Sequence, residues 1–154
     1  MGGLLRHRRL QLLAVFLVGV ALGGYLFIGS QPRSFPLLTS CGPSCHALPE
    51  LAGLAASVGI RLAPGMLPQE VAQTKYCVAM KNPFPDEPVD IVVIPRKDIK
   101  DVADIVPSDA PYVMGCLELI GSIIRAQHLS SYRVLTNGAG IQEVRYLHFH
   151  ILAR

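Results

Sequence analysis

The chain has 154 residues, 51% of them hydrophobic, with a formal net charge of +3 and a mean hydropathy of +0.40. That length supports one modest domain plus an accessory segment. No basic cluster with interleaved aromatics marks a polyanion groove, so no nucleic-acid partner is expected, and four cysteines are too few for a disulfide scaffold.

The hydrophobic excess sits near the start. Leu10 to Ile28 runs with only Gln11 and Tyr25 as polar interruptions. As a helix this run spans roughly 28 Å, close to the hydrocarbon thickness of a bilayer. Arg6, His7, Arg8 and Arg9 precede it, and positive residues stay on the cytoplasmic side. The expectation is a cytoplasmic tail over 1–9, a single transmembrane anchor over 10–28 and an extracytoplasmic remainder. A cleavable signal peptide is the alternative, but its apolar region is usually shorter and ends in a small-residue cleavage site. Only Gly29-Ser30 offers one here, so the retained anchor is favoured.

Residues 29–47 have linker composition and carry Cys41-Gly42-Pro43-Ser44-Cys45-His46. Zinc, a covalent haem or a local disulfide can each be read from that cluster, and outside the cytoplasm the disulfide fits best. A domain over 48–154 follows. Leu48 to Val58 is helical in pattern, with Gly59 as its stop, and Glu70 to Met80 reads as a hairpin turning at Thr74-Lys75. Val89 to Ile94 is a near-continuous apolar run, a buried strand closed by Pro95. A short helical turn is expected around Asp98–Ile105. Ser108 is then expected as the N-cap of a helix whose stripe is Val113, Leu117, Ile120 and Ile124. Cys77 and Cys116 lie on apolar faces and read as buried thiols. Tyr132 to Thr136 is a strand, turned back by Asn137-Gly138-Ala139-Gly140 into a final strand over 143–153. The sum is an α+β domain: one antiparallel sheet with one main helix packed on it, plus the N-terminal transmembrane helix.

The final segment carries the chemistry. Alternation along a strand puts Gln142, Val144, Tyr146, His148 and His150 on one face and Leu147, Phe149 and Ile151 on the other. The second set reads as core. The first sets two imidazoles side by side, and imidazole suits nucleophilic or acid–base work near neutral pH. A metal on this pair needs Tyr146 or Asp90 as a third ligand, and none is expected. Asp90 reads as a solvated strand-end charge, the alternative being a carboxylate that orients His148.

Gln142, Val144, Tyr146, His148, His150, Ile151 and Leu152 follow the frame Gln-x-Val-x-His-x-His-x-His plus two apolar residues, with Tyr146 in place of the first histidine. Upstream, Ile94-Pro95-Arg96-Lys97-Asp98-Ile99 is similar to an Ile-Pro-Lys-Lys-His-Ile segment, and Tyr132-Arg133-Val134-Leu135-Thr136-Asn137 to a strand ending in a phosphate-side asparagine. From Cys77 to Leu152 the chain thus resembles the histidine-triad (HIT) family of nucleotide-binding hydrolases and transferases.

The resemblance implies that His148 attacks an α-phosphate and forms a nucleotidyl-histidine resolved by water or another acceptor. A backbone carbonyl then holds its other ring nitrogen. His150 supports the phosphate charge, Gln142 and Asn137 belong to the phosphate side, and Asn82 sits at a ribose-binding position. Tyr146 reads equally as a packing residue or a hydrogen-bond donor to phosphate. Asp90 and Asp98 stand where many members have histidines, and Glu143 where a phosphate-contacting serine is common. A nucleotide or nucleotide-linked substrate is implied, with no cofactor, and a homodimer through the long helix and adjoining strand. Two other functions remain open. One is a lipid-linked nucleotide substrate such as CDP-diacylglycerol; the other is a catalytically degenerate binding or assembly protein at the membrane.

Overall fold

The computed structural model describes residues 2–33, 47–63, 65, 67–138 and 140–154. Cys41, Cys45, His46 and much of the linker lie outside the described residues.

Helix α1 (Gly2–Phe27) has no amphipathic stripe. From His7 to Phe27 it is long and apolar enough to cross a membrane, with a mean hydropathy of 2.1 and none of it buried in the chain. Its terminal carbonyls find a partner in Arg61 of α2 (Ala47–Leu62), which donates to Tyr25 O at 2.8 Å and also to Leu26 O. A cation at a helix C-terminus satisfies orphan carbonyls and complements the dipole. Gly59 does not stop α2. The helix continues because Ile60 is buried against Val78 and Tyr146, which outweighs the roughly 1 kcal/mol helix cost of a glycine.

Five antiparallel strands form the sheet: β1 (Glu70–Gln73), β2 (Cys77–Lys81), β3 (Val89–Pro95), β4 (Tyr132–Leu135) and β5 (Phe149–Ala153), in the order β1-β2-β3-β5-β4. Register divides the side chains cleanly. Cys77, Ala79, Ile91, Val93, Phe149 and Ile151 face helix α3 (Ala110–Ala126) and form the main core with Cys116, Leu119, Ile120 and Ile123. The opposite face holds Val78, Ile94, Val92, Asp90, His150 and Leu152, and α2 covers only the Val78 end of it. The other end carries Asp90 and His150.

Several expectations need correction. Of the expected α3 stripe, Ile120 is buried and Val113 and Ile124 pack against the core, but Leu117 is exposed, and Cys116, Leu119 and Ile123 complete the inward face. Cys77 and Cys116 are not thiols but a disulfide joining β2 to α3, with Cα atoms 5.4 Å apart. The close approach is helped by Gly115, where a Cβ would come within 2.8 Å of the Tyr76 Cβ. Ser108 is not the N-cap. A 3-10 turn over Pro107–Asp109 leads into α3, and buried Asp109 accepts Val106 N–H at 3.0 Å while pairing with Lys97 at 2.5 Å.

The final strand is also shorter than the alternation suggests, starting at Phe149 rather than 143. The preceding backbone bonds elsewhere: Arg145 N–H donates to Pro49 O at 2.9 Å and Leu147 N–H to Ile99 O at 2.6 Å. With those donors spent on α2 and the Ile99 loop, the ladder with β4 does not extend back over residues 143–148. The alternation of faces nonetheless survives. Val144 and Tyr146 pack into the cluster under α2, whereas Leu147, Phe149 and Ile151 enter the main core.

Candidate active site

His148 lies one residue before β5 and His150 is its second residue, so both rings emerge on the face away from α3. Their centroids are 5.2 Å apart, edge to face at 66°. The His148 Nδ1 lies 2.6 Å from Tyr146 O. A carbonyl only accepts, so Nδ1 carries the proton and Nε2 keeps the lone pair. Burial lowers the His148 pKa and the His150 ring pushes the same way, while the bond to Tyr146 O opposes them. The ring is therefore neutral at pH 7, as a nucleophile must be.

Tyr146 is 2% exposed, and its hydroxyl donates to Pro95 O at 2.8 Å. Burial, with the Asp98 carboxylate nearby, raises the phenol pKa and keeps the donor protonated. The hydroxyl is thus committed to β3. The Tyr146 carbonyl does more for the site, since it also accepts from the Gln142 side-chain amide at 3.4 Å. Gln142 is buried, its Oε1 without a hydrogen-bond partner among the described residues.

His150 has a carboxylate of its own. In the β3–β5 register His150 stands opposite Val92, and Asp90 lies two residues away on the same face. Asp90 Oδ1 is 3.0 Å from His150 Nδ1. Its Oδ2 accepts from Asn82 Nδ2 at 2.6 Å and from Asp86 N–H at 3.4 Å. Asp90 is therefore neither solvated nor the partner of His148: its side chain is 1% exposed and it orients His150. Asn82, expected at a ribose, holds that carboxylate in place while its Oδ1 accepts Phe84 N–H at 3.1 Å. A charged residue inside an apolar strand run was the available signal, because a buried carboxylate needs partners.

The remaining candidates are less tightly drawn in. Asn137 is half-buried just past β4, and Glu143 is exposed. Asp98 is buried at 4% exposure and engaged by Arg33 rather than by either histidine. Among the described residues no group of three His, Cys, Asp or Glu is arranged to hold a metal ion. A cavity of about 250 Å³ opens beside Glu87, Arg133, Leu152 and Arg154, at the other end of β5, and neither histidine lines it.

A family model described as the HIT domain matches residues 68–154. The chain belongs to the HIT family. A HIT-like protein of Chlamydia pneumoniae is 35% identical over 88 residues, 54% of this chain and 79% of that one. Protein pkiA of Dictyostelium discoideum is 32% identical over 87 residues, and the match spans 66% of its length. Among solved structures, a HIT family hydrolase from Legionella pneumophila superposes with a TM-score of 0.55 at 28% identity, covering 60% of this chain and 88% of that one. A histidine triad protein from Clostridium difficile gives 0.56 at 28% identity, covering 63% and 89%. The five-stranded antiparallel sheet with α3 on one face is thus the HIT fold, and the fold is that of HIT hydrolases.

Proposed function

We propose that this HIT protein is a membrane-anchored nucleotide hydrolase or transferase with His148 as nucleophile. The observation that carries the reading is the 2.6 Å bond from His148 Nδ1–H to Tyr146 O, which leaves a neutral ring with its Nε2 lone pair available. In the proposed reaction Nε2 attacks the α-phosphorus, the bond to the leaving group breaks with its electron pair, and the leaving group takes a proton from solvent, to which the hydrolytic water later returns one. Water then cleaves the P–N bond, returning the ring and releasing the nucleotide. His150, its Nδ1–H held by Asp90, stands 5.2 Å from the nucleophile's ring and is kept on the phosphate side by resemblance. Gln142 and Asn137 are kept on the phosphate side by resemblance.

The proposed topology is a tail over 1–9, a span over 10–28, a linker over 29–47 and a catalytic domain over 48–154 outside the cytoplasm. Three arginines before an exposed apolar helix favour that orientation. So does a buried disulfide, which persists in oxidising compartments. Met114 and Leu117 on α3 and Tyr132 and Val134 on edge strand β4 are exposed apolar side chains, which accords with a homodimer across that surface.

The test uses the full-length protein in detergent with nucleoside phosphoramidates and dinucleoside polyphosphates. CDP-diacylglycerol in vesicles is a separate arm for a lipid-linked substrate. Release by the wild type well above a His148→Ala control supports the reading, and equal slow release in every arm removes it. A second reading, a degenerate binding protein, is favoured by one observation: the residue replacing the first histidine has its hydroxyl locked onto Pro95. Absence of turnover with retained nucleotide binding decides for it.

A further inference from the structure

We propose that Arg33, on the short segment leaving α1, is a positioning residue for His148, because it clamps the peptide before Tyr146 whose carbonyl orients the imidazole. The inference rests on the reading of His148 as nucleophile.

The Arg33 side chain is 1% exposed, although it belongs to a segment outside the 68–154 match. Its Nη2 donates to Asp98 Oδ1 at 2.5 Å. Its Nη1 donates to Arg145 O at 2.6 Å and approaches Glu50 Oε2 at 3.4 Å. One planar fork thus ties together the Asp98 loop, the start of α2 and the segment entering the active site, a geometry that suits guanidinium and not ammonium.

The neighbours complete the clamp. Asp98 Oδ2 accepts Gln31 N–H at 2.8 Å and Gln31 Oε1 accepts Lys100 N–H at 3.1 Å, so Gln31, two residues before Arg33, is pinned to the same loop. The Arg145 side chain turns to Glu50 and Asp101, each at 3.5 Å. Arg145 N–H and Leu147 N–H are held by Pro49 O and Ile99 O. With Tyr146 N–H on Val144 O at 2.8 Å and Arg145 O on Arg33, the three N–H groups of 145–147 are all engaged, and Tyr146 O accepts from His148 and Gln142. Gly53 shows how tightly the parts meet: a Cβ there would collide with Arg145 O and lie 2.8 Å from Arg33 Nη1. Only glycine admits that approach.

The consequence is that Gln31 and Arg33, just past the apolar helix, are working parts of the catalytic centre. If Arg33 releases Arg145 O, the 145–147 peptides can rotate, Tyr146 O leaves Nδ1, and the imidazole loses the acceptor that selects its tautomer.

The test is made on full-length, histidine-15N-labelled protein in detergent, with His148→Ala used to assign resonances. In the wild type His148 is expected as the Nδ1–H tautomer. In Arg33→Ala it becomes a mixture with Nε2–H, and kcat falls about 10²-fold with KM little changed, as expected for a misplaced nucleophile. Arg33→Lys, able to reach one acceptor at a time, shows the same change in smaller measure. Where Arg33→Ala does not fold, Gly53→Ala displaces the same carbonyl while keeping every charge, and it shifts the tautomer likewise. A wild-type tautomer in a folded variant overturns the proposal. The tautomer needs no substrate, so this failure is separate from failure of the activity itself, which the His148→Ala assay reads.

Discussion

Removing the Cys77–Cys116 bond should cost this domain a large share of its stability. The crosslink closes a loop across a sequence separation of 39. A loop of that size restricts the unfolded chain by about 4 kcal/mol on the chain-entropy account. Both sulfurs are completely buried in the main core, beside Ala79, Ile91 and Leu119, so changing both cysteines to alanine also forfeits packing. Together these effects predict a loss of about 4–6 kcal/mol, against a total of ~5–15 kcal/mol for a domain of ordinary stability. The assay is urea unfolding of the full-length protein in detergent, followed by tyrosine fluorescence, for wild type and the Cys77→Ala/Cys116→Ala variant. Reductant should leave the native wild type untouched, because the bond is shielded, and should block its refolding. A midpoint unchanged by the double substitution refutes the reasoning. So does alkylation of both thiols in protein unfolded without reductant.

The Asp90–His150 pair predicts a specific effect of Asp90→Asn. Asn82 can only donate to that site, so the new amide turns its oxygen to Asn82 and its NH₂ toward His150, forcing the Nε2–H tautomer there. We expect kcat to fall about 10–100-fold with stability reduced by about 1–3 kcal/mol; unchanged turnover would show that His150 needs no orientation. Tyr146→Phe keeps the ring and strands Pro95 O, costing about 1–3 kcal/mol with kcat within about threefold of wild type. A loss nearer 10³-fold would mean that the hydroxyl meets substrate. For His148, burial lowers the folded pKa below its unfolded value of 6.5. Activity should therefore be flat above pH 6.5 and decline only as pH falls through the lowered folded value, read from kcat/KM profiles. The sign for stability is the same: the unfolded chain takes up the proton first, so this group's contribution is complete above pH 6.5 and is lost as pH falls from there through the folded pKa. A profile whose acid limb lies above pH 6.5 contradicts a buried neutral ring.

Much of the architecture was legible because it follows from local pattern. The β1–β2 hairpin at Thr74-Lys75 and the strand closing at Pro95 appear as read, and the apolar run is helical as far as Phe27. So does the division of 144–151 between two faces. What misled was local pattern taken alone. Alternation over 143–148 looks like a strand, yet alternation only requires an extended chain, and here α2 and the Ile99 loop take the hydrogen bonds that a ladder would need. Gly59 looks like a stop, yet burial of Ile60 carries the helix onward.

An i, i+2 spacing was enough to set His148 and His150 on one face, whatever lies around them, and their rings do meet there. Which partner each imidazole has was decided in three dimensions. Asp90 reaches His150 because the register of β3 on β5 says so, and Arg33 reaches Arg145 O across 112 positions of chain. A hydrogen bond between distant residues leaves no periodicity to read: it exists only once the sheet, α2 and the segment after α1 have closed on one another.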